Sequence, residues 1–545
     1  MKINFSVKPF AKVIINNTRV GKTILDAKIS ASVARNIPLQ APPAPSMTDV
    51  IKTVFEGTIK NGHQIISDLA KNDLGEQFGS YAKKVSERFA EFAKASNDPL
   101  SVAPDSLGLG PSKFFQIIAS DESIMKQLPE HVRQIILKSK SNNTPTRTLK
   151  EAQQEIDAAF GNKYSIKDRL GVGSVGEAYL AEAKSGKEFV PKMIKKGLDK
   201  ESVEIEEQVF SKLVEFLAKD GEDGQRKSEM LKALYEDWKK ELDFTQEVAN
   251  NKALAQGAKR YKVAGIAELS KDAKCVIYEK AQGVKAEKFV NMVLDYRHNP
   301  VEYAQKYKSE LAEHPWMSNP EEPLKEFATS YIKAFSEMML FVKKGSKSVM
   351  HGDPHVGNVF VTKDSSGKIL PTFIDTGCCI NRTSGDVAAD LNFFTNYFVG
   401  NSNGIASYFV SKAKYLPAGK SMQEIKASLA KKLDEKLFRS GGNITDLVKS
   451  QKIINNLLDE EKIFINPKDS TALKAQMQFV ATGLSLHQLS GNDSGDILVK
   501  ILPDVAKGIG HISLRENPIP IIKPAAKHIL DKGKDAMESF FQFIV

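Results

Sequence analysis

The sequence predicts a two-lobed α+β fold, in which a small β-rich lobe with inserted helices is followed by a large helical lobe and preceded by a helical extension. Short strand-like runs separated by glycine-containing turns fill residues 164–194. Apolar residues recur at helical spacing before these runs, from Val50 onward, and helical patterns dominate the chain after Gly283. The spacing of apolar residues thus changes from helical to strand-like and back to helical, which places the β-rich lobe in the middle of the chain.

The composition excludes several classes of protein. The chain has 545 residues with a net charge of +10, of which 41% are hydrophobic and 26% charged, and such a chain buries a large core. Collagen-like, wholly disordered and disulfide-stapled proteins are therefore excluded. The excess positive charge is spread over many predicted helical faces, so we expect no nucleic-acid partner. The three cysteines, Cys275, Cys378 and Cys379, indicate a reducing compartment.

Residues 1–47 read as a basic leader and a stiff proline-rich linker. They contain seven Lys or Arg against one acid and end in Pro38, Pro42, Pro43 and Pro45. An ordinary disordered tail and an organelle presequence are both open, so the expected location is the cytoplasm or, if the leader is a transit peptide, an organelle matrix. No apolar run reaches the roughly 18 residues of a membrane-spanning helix, and no transmembrane span is expected.

The change of pattern along the chain predicts the remaining boundaries. We expect the helical extension over residues 48–160, the N-terminal lobe over 161–280, the C-terminal lobe over 281–515 and a tail over 516–545. The last part of the tail, 525–545, can form a basic-then-apolar amphipathic helix. This helix would either dock on the protein's own lobe or make peripheral contact with a membrane surface.

The first candidate binding element is a glycine-rich turn. Gly171, Gly173 and Gly176 form a G-x-G-x-x-G pattern that includes Ser174 and lies between two strand-like runs. Glycine permits positive φ and a close approach of backbone amides to phosphate oxygens. A strand rather than a helix follows, which excludes a Rossmann motif, and no Gly-Lys-Ser/Thr closes a Walker motif. Taken alone, the pattern also fits a plain hairpin turn.

A lysine on the next strand-like run strengthens the phosphate interpretation. Lys192 follows Gly176 by sixteen residues, where a kinase places the lysine that neutralises nucleotide phosphates. The alternative is a solvent-facing strand lysine, although the apolar Val190 and Met193 indicate a strand buried on at least one face. Pro191 lacks an amide hydrogen, so we expect a gap in the strand pairing there.

The most specific signal is a set of three polar residues. Asp353 is followed by Asn358 five residues later and by Asp375 seventeen residues beyond, within His-Gly-Asp-Pro-His-Val-Gly-Asn and Phe-Ile-Asp-Thr-Gly. Phosphoryl transfer needs a carboxylate that orients or deprotonates the acceptor hydroxyl, for which Asp353 is suited. It also needs oxygen ligands for Mg²⁺, for which Asn358 and Asp375 are suited. The sequence thus predicts an ATP and Mg²⁺ site.

The same residues and their neighbours also permit interpretations other than an ATP and Mg²⁺ site. Asp353 precedes Pro354 and could simply mark a turn, but that leaves Asn358 and Asp375 unexplained. His351, Asp353 and His355 could hold zinc, but no further ligand cluster completes the sphere, and structural roles are preferred for both histidines. Cys378 and Cys379 are expected to be two small buried residues rather than a redox pair.

Several segments resemble the UbiB-type, or activity-of-bc1-complex, atypical kinases of the protein kinase-like superfamily. The run 353–358 resembles the family's D-P-H-x-G-N. Lys113-Phe114-Phe115-Gln116 is similar to its K-x-G-Q motif, and Glu241-Leu242-Asp243, with Glu247 beyond, is similar to its E-x-D segment. The resemblance covers about residues 105–515, apart from an insertion near 291–322.

The resemblance implies a kinase-like fold with the extension folded over the nucleotide cleft. It also implies specific roles for the matching residues: Lys192 pairs with Glu241 and touches the nucleotide phosphates, Glu247 and Asp243 belong to the E-x-D network, and Lys113 and Gln116 project towards the active site.

Three departures from the family pattern are visible. The glycines at 171, 173 and 176 stand where the family has an alanine-rich loop, so phosphate binding should be closer to that of protein kinases. Phe115 replaces the glycine of K-x-G-Q, so the extension must pack differently there. Thr376 replaces the usual Phe after the metal-binding Asp, which weakens any argument about an in/out switch.

Three functions follow as hypotheses. The first is a Mg²⁺-dependent phosphotransferase or ATPase, which the family's link to quinone and lipid metabolism would connect with that chemistry. The second is a pseudokinase scaffold that binds nucleotide without transfer. The third is a small-molecule kinase of the aminoglycoside or choline type. The sequence does not identify the acceptor, which could be a small molecule, a lipid or a protein.

Overall fold

The computed structural model describes the middle of the chain in six ranges with isolated positions before and between them. The ranges are 145–198, 238–340, 348–398, 400–417, 419–439 and 447–491. The leader (1–47), the tail (516–545) and most of the predicted extension (48–160), including its predicted helices between residues 50 and 92, lie outside the described residues. The predicted domain boundaries stay predictions.

The described residues form an α+β domain with a sheet-rich region and many helices. Within the six ranges the α-helices are α1 (Leu149–Phe160), α2 (Phe244–Ala255), α3 (Ala286–His298), α4 (Pro300–Lys306), α5 (Lys308–Glu313), α6 (Glu321–Leu340), α7 (Ser384–Phe398), α8 (Ser402–Lys412), α9 (Met422–Leu433), α10 (Leu447–Glu460) and α11 (Pro467–Leu489). Short 3₁₀ turns at Lys240–Leu242, Pro315–Met317 and Val356–Asn358 and a π-helix at Asp434–Arg439 complete the helical part.

The strands form two larger sheets and two strand pairs. They are β1 (Tyr164–Val172), β2 (Gly176–Ala183), β3 (Glu188–Ile194), β4 (Lys262–Val263), β5 (Ile266–Leu269), β6 (Cys275–Glu279), β7 (Val284–Lys285), β8 (Ser348–His351), β9 (Val359–Lys363), β10 (Ile369–Phe373), β11 (Cys379–Arg382), β12 (Ala413–Tyr415) and β13 (Phe464–Ile465). The antiparallel five-stranded sheet has the order β1-β2-β3-β6-β5, and the four-stranded sheet has the order β4-β10-β9-β7.

Strand β3 lies in the interior of the five-stranded sheet. The predicted gap at Pro191 is confirmed: the β2–β3 pairing passes directly from Ala178↔Lys192 to Ala181↔Phe189 and leaves Pro191 without a partner on β2. On the other side Pro191 lies opposite Ile277 of β6. Because side chains alternate along a strand, Lys192 and the residue after it, Met193, belong to opposite faces of the sheet.

Each face of this sheet is covered by a helix. One face packs on α1 through Ile156, Phe160 and Met193, and α1 begins with a capping box between Thr148 and Glu151. The other face packs on α2 through Phe244 and also contacts Ile374, which follows β10. The second face therefore brings Lys192 close to the residues that follow β10.

The helical part is held by an aromatic core beneath β10. The ring of Phe373 lies 5.7 Å from that of Phe479 on α11 and 6.3 Å from that of Tyr331 on α6. A second core nearby encloses an ion pair, in which Arg382 donates to both carboxylate oxygens of Asp390 and both side chains are only 1% exposed. The end of β10, from which Asp375 extends, is thus fixed by packing.

Among the described helices, none combines the length and the apolar character that are needed to cross a bilayer.

Candidate nucleotide and metal site

The glycine-rich turn is the tip of the β1–β2 hairpin. The Gly173 amide donates to the Gly176 carbonyl at 2.7 Å, which closes the turn. Gly171, Gly173 and Gly176 all have negative φ, so the expected use of positive φ is wrong. A Cβ at Gly176 would lie 3.2 Å from the Met193 carbonyl oxygen, whereas a Cβ at Gly171 would meet nothing within 4 Å. Glycine therefore permits close strand packing at Gly176 and leaves open space at Gly171.

Lys192 joins two carboxylates that come from distant parts of the chain. Its Nζ lies 2.8 and 3.0 Å from the two carboxylate oxygens of Glu247 on α2, and 3.0 Å from Oδ1 of Asp375. The Lys192 side chain is 23% exposed and that of Glu247 only 6%. The Tyr278 hydroxyl also donates to Glu247, and the Lys192 ammonium lies 5.4 Å from the Phe244 ring centroid.

The predicted partner of Lys192 is wrong, because Glu247 takes the place that was expected for Glu241. Glu241 lies on the exposed 3₁₀ turn before α2, and Asp243 then caps α2 by accepting from the Thr245 amide. Glu247, at the end of the first turn of α2, lies on the same face as the buried Phe244. The face of α2 that packs on the sheet therefore presents Glu247 to Lys192.

Polar contacts tie α2 to the segment that carries Asp375. The Asn250 side chain donates to the carbonyls of Thr376 and Gly377 at 3.1 and 3.3 Å. The Thr376 hydroxyl donates back to the Glu247 carbonyl at 3.2 Å, and Thr376 is fully buried. The threonine that stands in place of the family's Phe is thus a hydrogen-bonding link between α2 and the segment that carries Asp375.

Lys192, Glu247 and Asp375 shift one another's pKa values. The Lys192 ammonium holds the pKa of Asp375 at about 2. Burial acts to lower the pKa of Lys192, but the neighbouring Asp375 and Glu247 carboxylates raise it above its ordinary value. Burial raises the pKa of Glu247 against the opposing effect of Lys192. Lys192 is therefore cationic and Asp375 anionic at neutral pH.

Asp375 adopts an unusual backbone conformation for a residue with a side chain. Its φ is +56°, in the left-handed region, and its side chain is 51% exposed. Such a conformation costs free energy and persists where the surroundings enforce it, often at functional sites. Here the partly buried Ile374 and the fully buried Thr376 on either side hold the backbone in place, while the Asp375 carboxylate stays half exposed.

Hydrogen bonds place Asp353 and Asn358 beside the Asp375 segment. The Asn358 side-chain amide donates to the Asp353 carbonyl at 3.1 Å, and the Ile374 amide donates to the Asn358 carbonyl at 3.0 Å. The Asp353 amide donates to His351 Nδ1 at 3.2 Å, and His351 Nε2 lies 3.0 Å from the Ile374 carbonyl. The buried imidazole of His351 therefore bridges the two segments.

The histidines have structural partners, which argues against a zinc site. Both ring nitrogens of His351 are engaged, and His355 Nδ1 accepts from the Gly357 amide at 3.0 Å. His355 Nε2 lies 3.6 Å from Asp353 Oδ2. Within the described ranges, no group of three or more His, Cys, Asp and Glu side chains could hold a metal ion.

The paired cysteines only partly match expectation. All three cysteines of the chain are free thiols, so Cys378 and Cys379 form no disulfide. Cys379 is half-buried at the start of β11, but Cys378 is exposed, which corrects the expectation of two buried residues. The Cys378 carbonyl accepts from the Gly352 amide at 2.6 Å, and this bond holds the chain after Asp375 against the loop of Asp353.

The described part of the chain thus brings the main predicted residues together. Lys192 and Asp375 are in direct contact. A backbone hydrogen bond links Asn358 to Ile374, and the side chains of Asn358 and His351 link Asp353 to the same segment. The remaining expectations concern Ser174, which is half-buried in the glycine turn, and Lys113 and Gln116, which lie outside the described residues. Their predicted roles stay predictions.

Sequence reasoning missed Tyr278 and Asn250 as parts of the site. Tyr278 lies at the buried end of β6, and only the strand pairing β3–β6 brings it near Glu247. Asn250 follows Glu247 by three positions on α2, so helical spacing could have indicated that it shares the buried face.

Comparison with known proteins agrees with this geometry. The model of the ABC1 atypical kinase-like domain matches residues 136–409, which is half of the chain. The chain belongs to the ABC1 atypical kinase-like family. This is the family that the sequence motifs resemble, and membership supports a kinase-like, ATP-binding function. No curated protein matches the chain.

One solved structure shows a distant likeness. It is the complex of Rv3197 with erythromycin from Mycobacterium tuberculosis, with 14% sequence identity and a TM-score of 0.36. The match covers 76% of this chain and 97% of that one. At this TM-score the likeness carries no argument about fold or ligand.

Proposed function

We propose that this protein binds ATP together with Mg²⁺ and transfers or hydrolyses the terminal phosphoryl group. The observation that carries the proposal is the position of Lys192, whose ammonium joins Glu247 of α2 to Asp375 at the end of β10. A lysine held by one buried carboxylate and shared with a second, more exposed one is suited to binding phosphate oxygens beside a metal.

The residues present fit a Mg²⁺ ion and a nucleotide. Asp375 and Asn358 offer two oxygen ligands, and Mg²⁺ is usually held by one or two protein oxygens together with substrate phosphates. The Asn358 amide nitrogen is used by the Asp353 carbonyl, which leaves the amide oxygen for a metal. The open space at Gly171 leaves room for a ligand at the hairpin tip. When bound, Mg²⁺ would neutralise charge on the phosphate groups.

The acceptor group would meet Asp353. Its Oδ1 is buried and has no hydrogen-bond partner among the described residues, which is costly for a carboxylate unless a ligand supplies one. The carboxylate as a whole is 36% exposed, so an incoming hydroxyl would donate to it and lose its proton to it during transfer. His351 would keep the loop of Asp353 in place through the Asp353 amide, and Lys192 would hold the phosphate oxygens.

The proposal extends to the two lobes, the acceptor and the location of the protein. The five-stranded sheet and the helical part would form the two lobes of a kinase-like fold, with the extension carrying Lys113 and Gln116 over the cleft. The acceptor is proposed to be a small molecule, a lipid or a protein, and the link to quinone or lipid chemistry rests on family membership alone. Cytoplasmic or organelle-matrix location and peripheral membrane contact stay predictions.

Turnover by an Asp353 variant tests the proposal. Asp353→Asn keeps the shape of the side chain but cannot accept the proton, so ATP turnover should fall by about 10²- to 10⁴-fold while Mg²⁺-ATP affinity stays close to that of the wild type. Phosphate release and equilibrium binding of ATP measure the two quantities.

The matched control is Asp157→Asn on α1, which changes the same functional group on the other face of the sheet. It should leave turnover unchanged. A wild-type protein that binds Mg²⁺-ATP without any turnover would contradict catalysis and favour a scaffold that binds nucleotide only.

A further inference from the structure

A cavity of about 490 Å³ lies on the face of the five-stranded sheet opposite to Lys192. It is bounded by α1, by the end of β3 with the following residues 193–198, and by the β5–β6 turn at 270–275. Met193, which lines the cavity, directly follows Lys192, and strand alternation separates the two side chains by the thickness of the sheet. The cavity is therefore distinct from the proposed nucleotide site.

The side chains around the cavity carry more positive than negative charges. Five of the lining residues are cationic (Arg147, Lys195, Lys196, Lys271 and Lys274) and two are acidic (Glu155 and Asp272). Its size falls within the range of about 300–1,000 Å³ that is usual for small-molecule sites. A lining with such an excess of positive charge favours an anionic ligand.

Both acidic groups of the lining are already used by the protein. Glu155 accepts two hydrogen bonds from Arg147 Nε, at 3.0 and 3.1 Å. Asp272 accepts from the Ser270 hydroxyl at 2.7 Å and from the Lys274 amide at 3.2 Å. Arg147 offsets the charge of Glu155, and the four lysines outnumber the one remaining carboxylate, Asp272, so the lining keeps a net positive charge.

Two ammonium groups at the rim are available to a ligand. Arg147 also donates to the Ile194 carbonyl at 2.7 Å, and Lys196 pairs with Glu151 at 2.7 Å, so both are engaged. The side chains of Lys271 and Lys274 are exposed and make no hydrogen bond or ion pair within the described ranges. Two such ammonium groups three residues apart on one turn can converge on a single phosphate.

The rest of the lining is apolar. Ala158 and Ala159 of α1, Leu198 and the buried Cys275 contribute carbon and sulfur surface next to the charged rim. A ligand that matches both parts carries a doubly charged phosphate at one end and an organic body at the other. Inorganic phosphate alone would leave most of the cavity unfilled.

We propose that this cavity binds a phosphomonoester, with the phosphate between Lys271 and Lys274 and the organic part against α1 and the end of β3. The same chemistry occurs in a soluble phosphorylated metabolite and in the headgroup of a phosphatidic lipid. The proposal is independent of the nucleotide site, because Lys192, Asp353 and Asp375 do not line the cavity.

Lysine labelling of the full-length protein tests the site residue by residue. The protein is treated with an acetylating reagent, with and without glycerol 3-phosphate, and the labelling rate of each lysine is read by mass spectrometry. We expect the rates at Lys271 and Lys274 to fall about fivefold or more, while that of the exposed Lys184 in the β2–β3 turn stays unchanged. Neither sample contains a nucleotide, so the result is independent of the test of the nucleotide site.

A second arm identifies the source of the phosphate. Vesicles of phosphatidylcholine with and without phosphatidic acid replace glycerol 3-phosphate. Protection by the soluble ester supports a metabolite, and protection by the acidic vesicles alone supports a lipid headgroup. Absence of protection in both arms, or equal protection of Lys184, would overturn the proposal.

Charge reversal provides the affinity test. The double variant Lys271→Glu/Lys274→Glu should bind the protecting probe about tenfold or more weakly by calorimetry. Lys184→Glu/Lys308→Glu carries the same change of net charge at two exposed lysines away from the cavity and should bind as the wild type does. Mg²⁺-ATP binding serves as a folding check in both variants, and equal probe affinity in the two variants would contradict the site.

Discussion

Lys192 extends from the five-stranded sheet and contacts both helix α2 and the segment that follows β10. Its ammonium lies between a carboxylate that is almost completely buried and one that is half exposed. The buried Glu247 can pair with Lys192 permanently, whereas Asp375 is accessible to a metal ion. The site therefore combines a fixed ion pair with an exchangeable one.

Replacing Glu247 should cost more stability than replacing Glu241. Glu247→Ala leaves the Lys192 ammonium in a mostly buried place without its main partner, which typically costs about 3–5 kcal/mol of unfolding free energy. Glu241→Ala removes the same side chain from the exposed turn before α2 and should cost less than about 1 kcal/mol. Urea unfolding of both variants measures the difference. Equal losses would contradict the assignment of Glu247 as the partner.

His351 should make stability depend on pH in the mildly acidic range. Burial lowers the pKa of this imidazole, which is fully buried. Below pH about 6.5 the unfolded chain binds a proton that the folded state does not, so stability falls as the pH drops, by at most about 1.4 kcal/mol per pH unit. His351→Gln should show a shallower fall between pH 7.5 and 5.5 in urea unfolding.

The control for that experiment is His298→Gln, which removes a histidine from the surface of α3. If His351→Gln and the wild type lose stability equally as the pH falls, the buried imidazole is not the group that titrates.

The sequence predicted the chemistry of individual residues better than their pairing. The types and spacing of Asp353, Asn358 and Asp375 follow from what phosphoryl transfer requires, and hydrogen bonds bring their segments together. The partner of Lys192 was missed because two glutamates lie six residues apart and only the burial of one helix face separates them. Phe244, Glu247 and Asn250 share that face. Their three-residue spacing therefore indicates that Glu247 is buried, which the family motif does not.

At the scale of elements, the coupling between α2 and the Asp-Thr-Gly segment determines the shape of the site. Thr376 and Asn250 supply this coupling through three hydrogen bonds in a buried place. A shift of α2 would therefore move both Glu247 and the backbone that presents Asp375. The position of the Asp375 carboxylate therefore depends on the position of α2.

Removing the Thr376 hydroxyl should weaken both stability and nucleotide binding. Thr376→Val keeps the volume but leaves the Glu247 carbonyl without this donor, at a cost of about 1 kcal/mol of unfolding free energy. Because Asp375 is adjacent, Mg²⁺-ATP affinity should also fall several-fold. Thermal unfolding and calorimetry measure the two effects.

Thr395→Val on α7 is the matched control, since its hydroxyl donates to the Leu391 carbonyl at 2.7 Å away from the site. It should change stability by a similar or smaller amount without changing ATP affinity. A loss of affinity in both variants would contradict a local role for Thr376.

The longer elements could be predicted and the shortest could not. The strand-like runs that begin at Tyr164 and near Cys275 became β1 and β6, because strands of five or more residues are long enough to leave a visible pattern in the sequence. The two-residue strands β4, β7 and β13 carry no period of their own. They exist because a distant strand pairs with them, as β10 does with β4.

At the scale of the whole molecule, the described residues form one α+β domain in which two sheets meet at the candidate site. The five-stranded sheet provides Lys192 and the glycine turn, and the end of β10 in the four-stranded sheet leads to Asp375. The sequence predicted this order of a sheet-rich part before a helical part.

The central claim is that these separate parts together hold a nucleotide through a divalent cation. Calorimetric titration of ATP into the wild type and Asp375→Asn, each with and without Mg²⁺, tests this claim most directly. We predict that Mg²⁺ tightens ATP binding to the wild type by about tenfold or more, and that Asp375→Asn abolishes this gain. Wild-type affinity that is independent of Mg²⁺, or an unchanged gain in Asp375→Asn, would contradict the account.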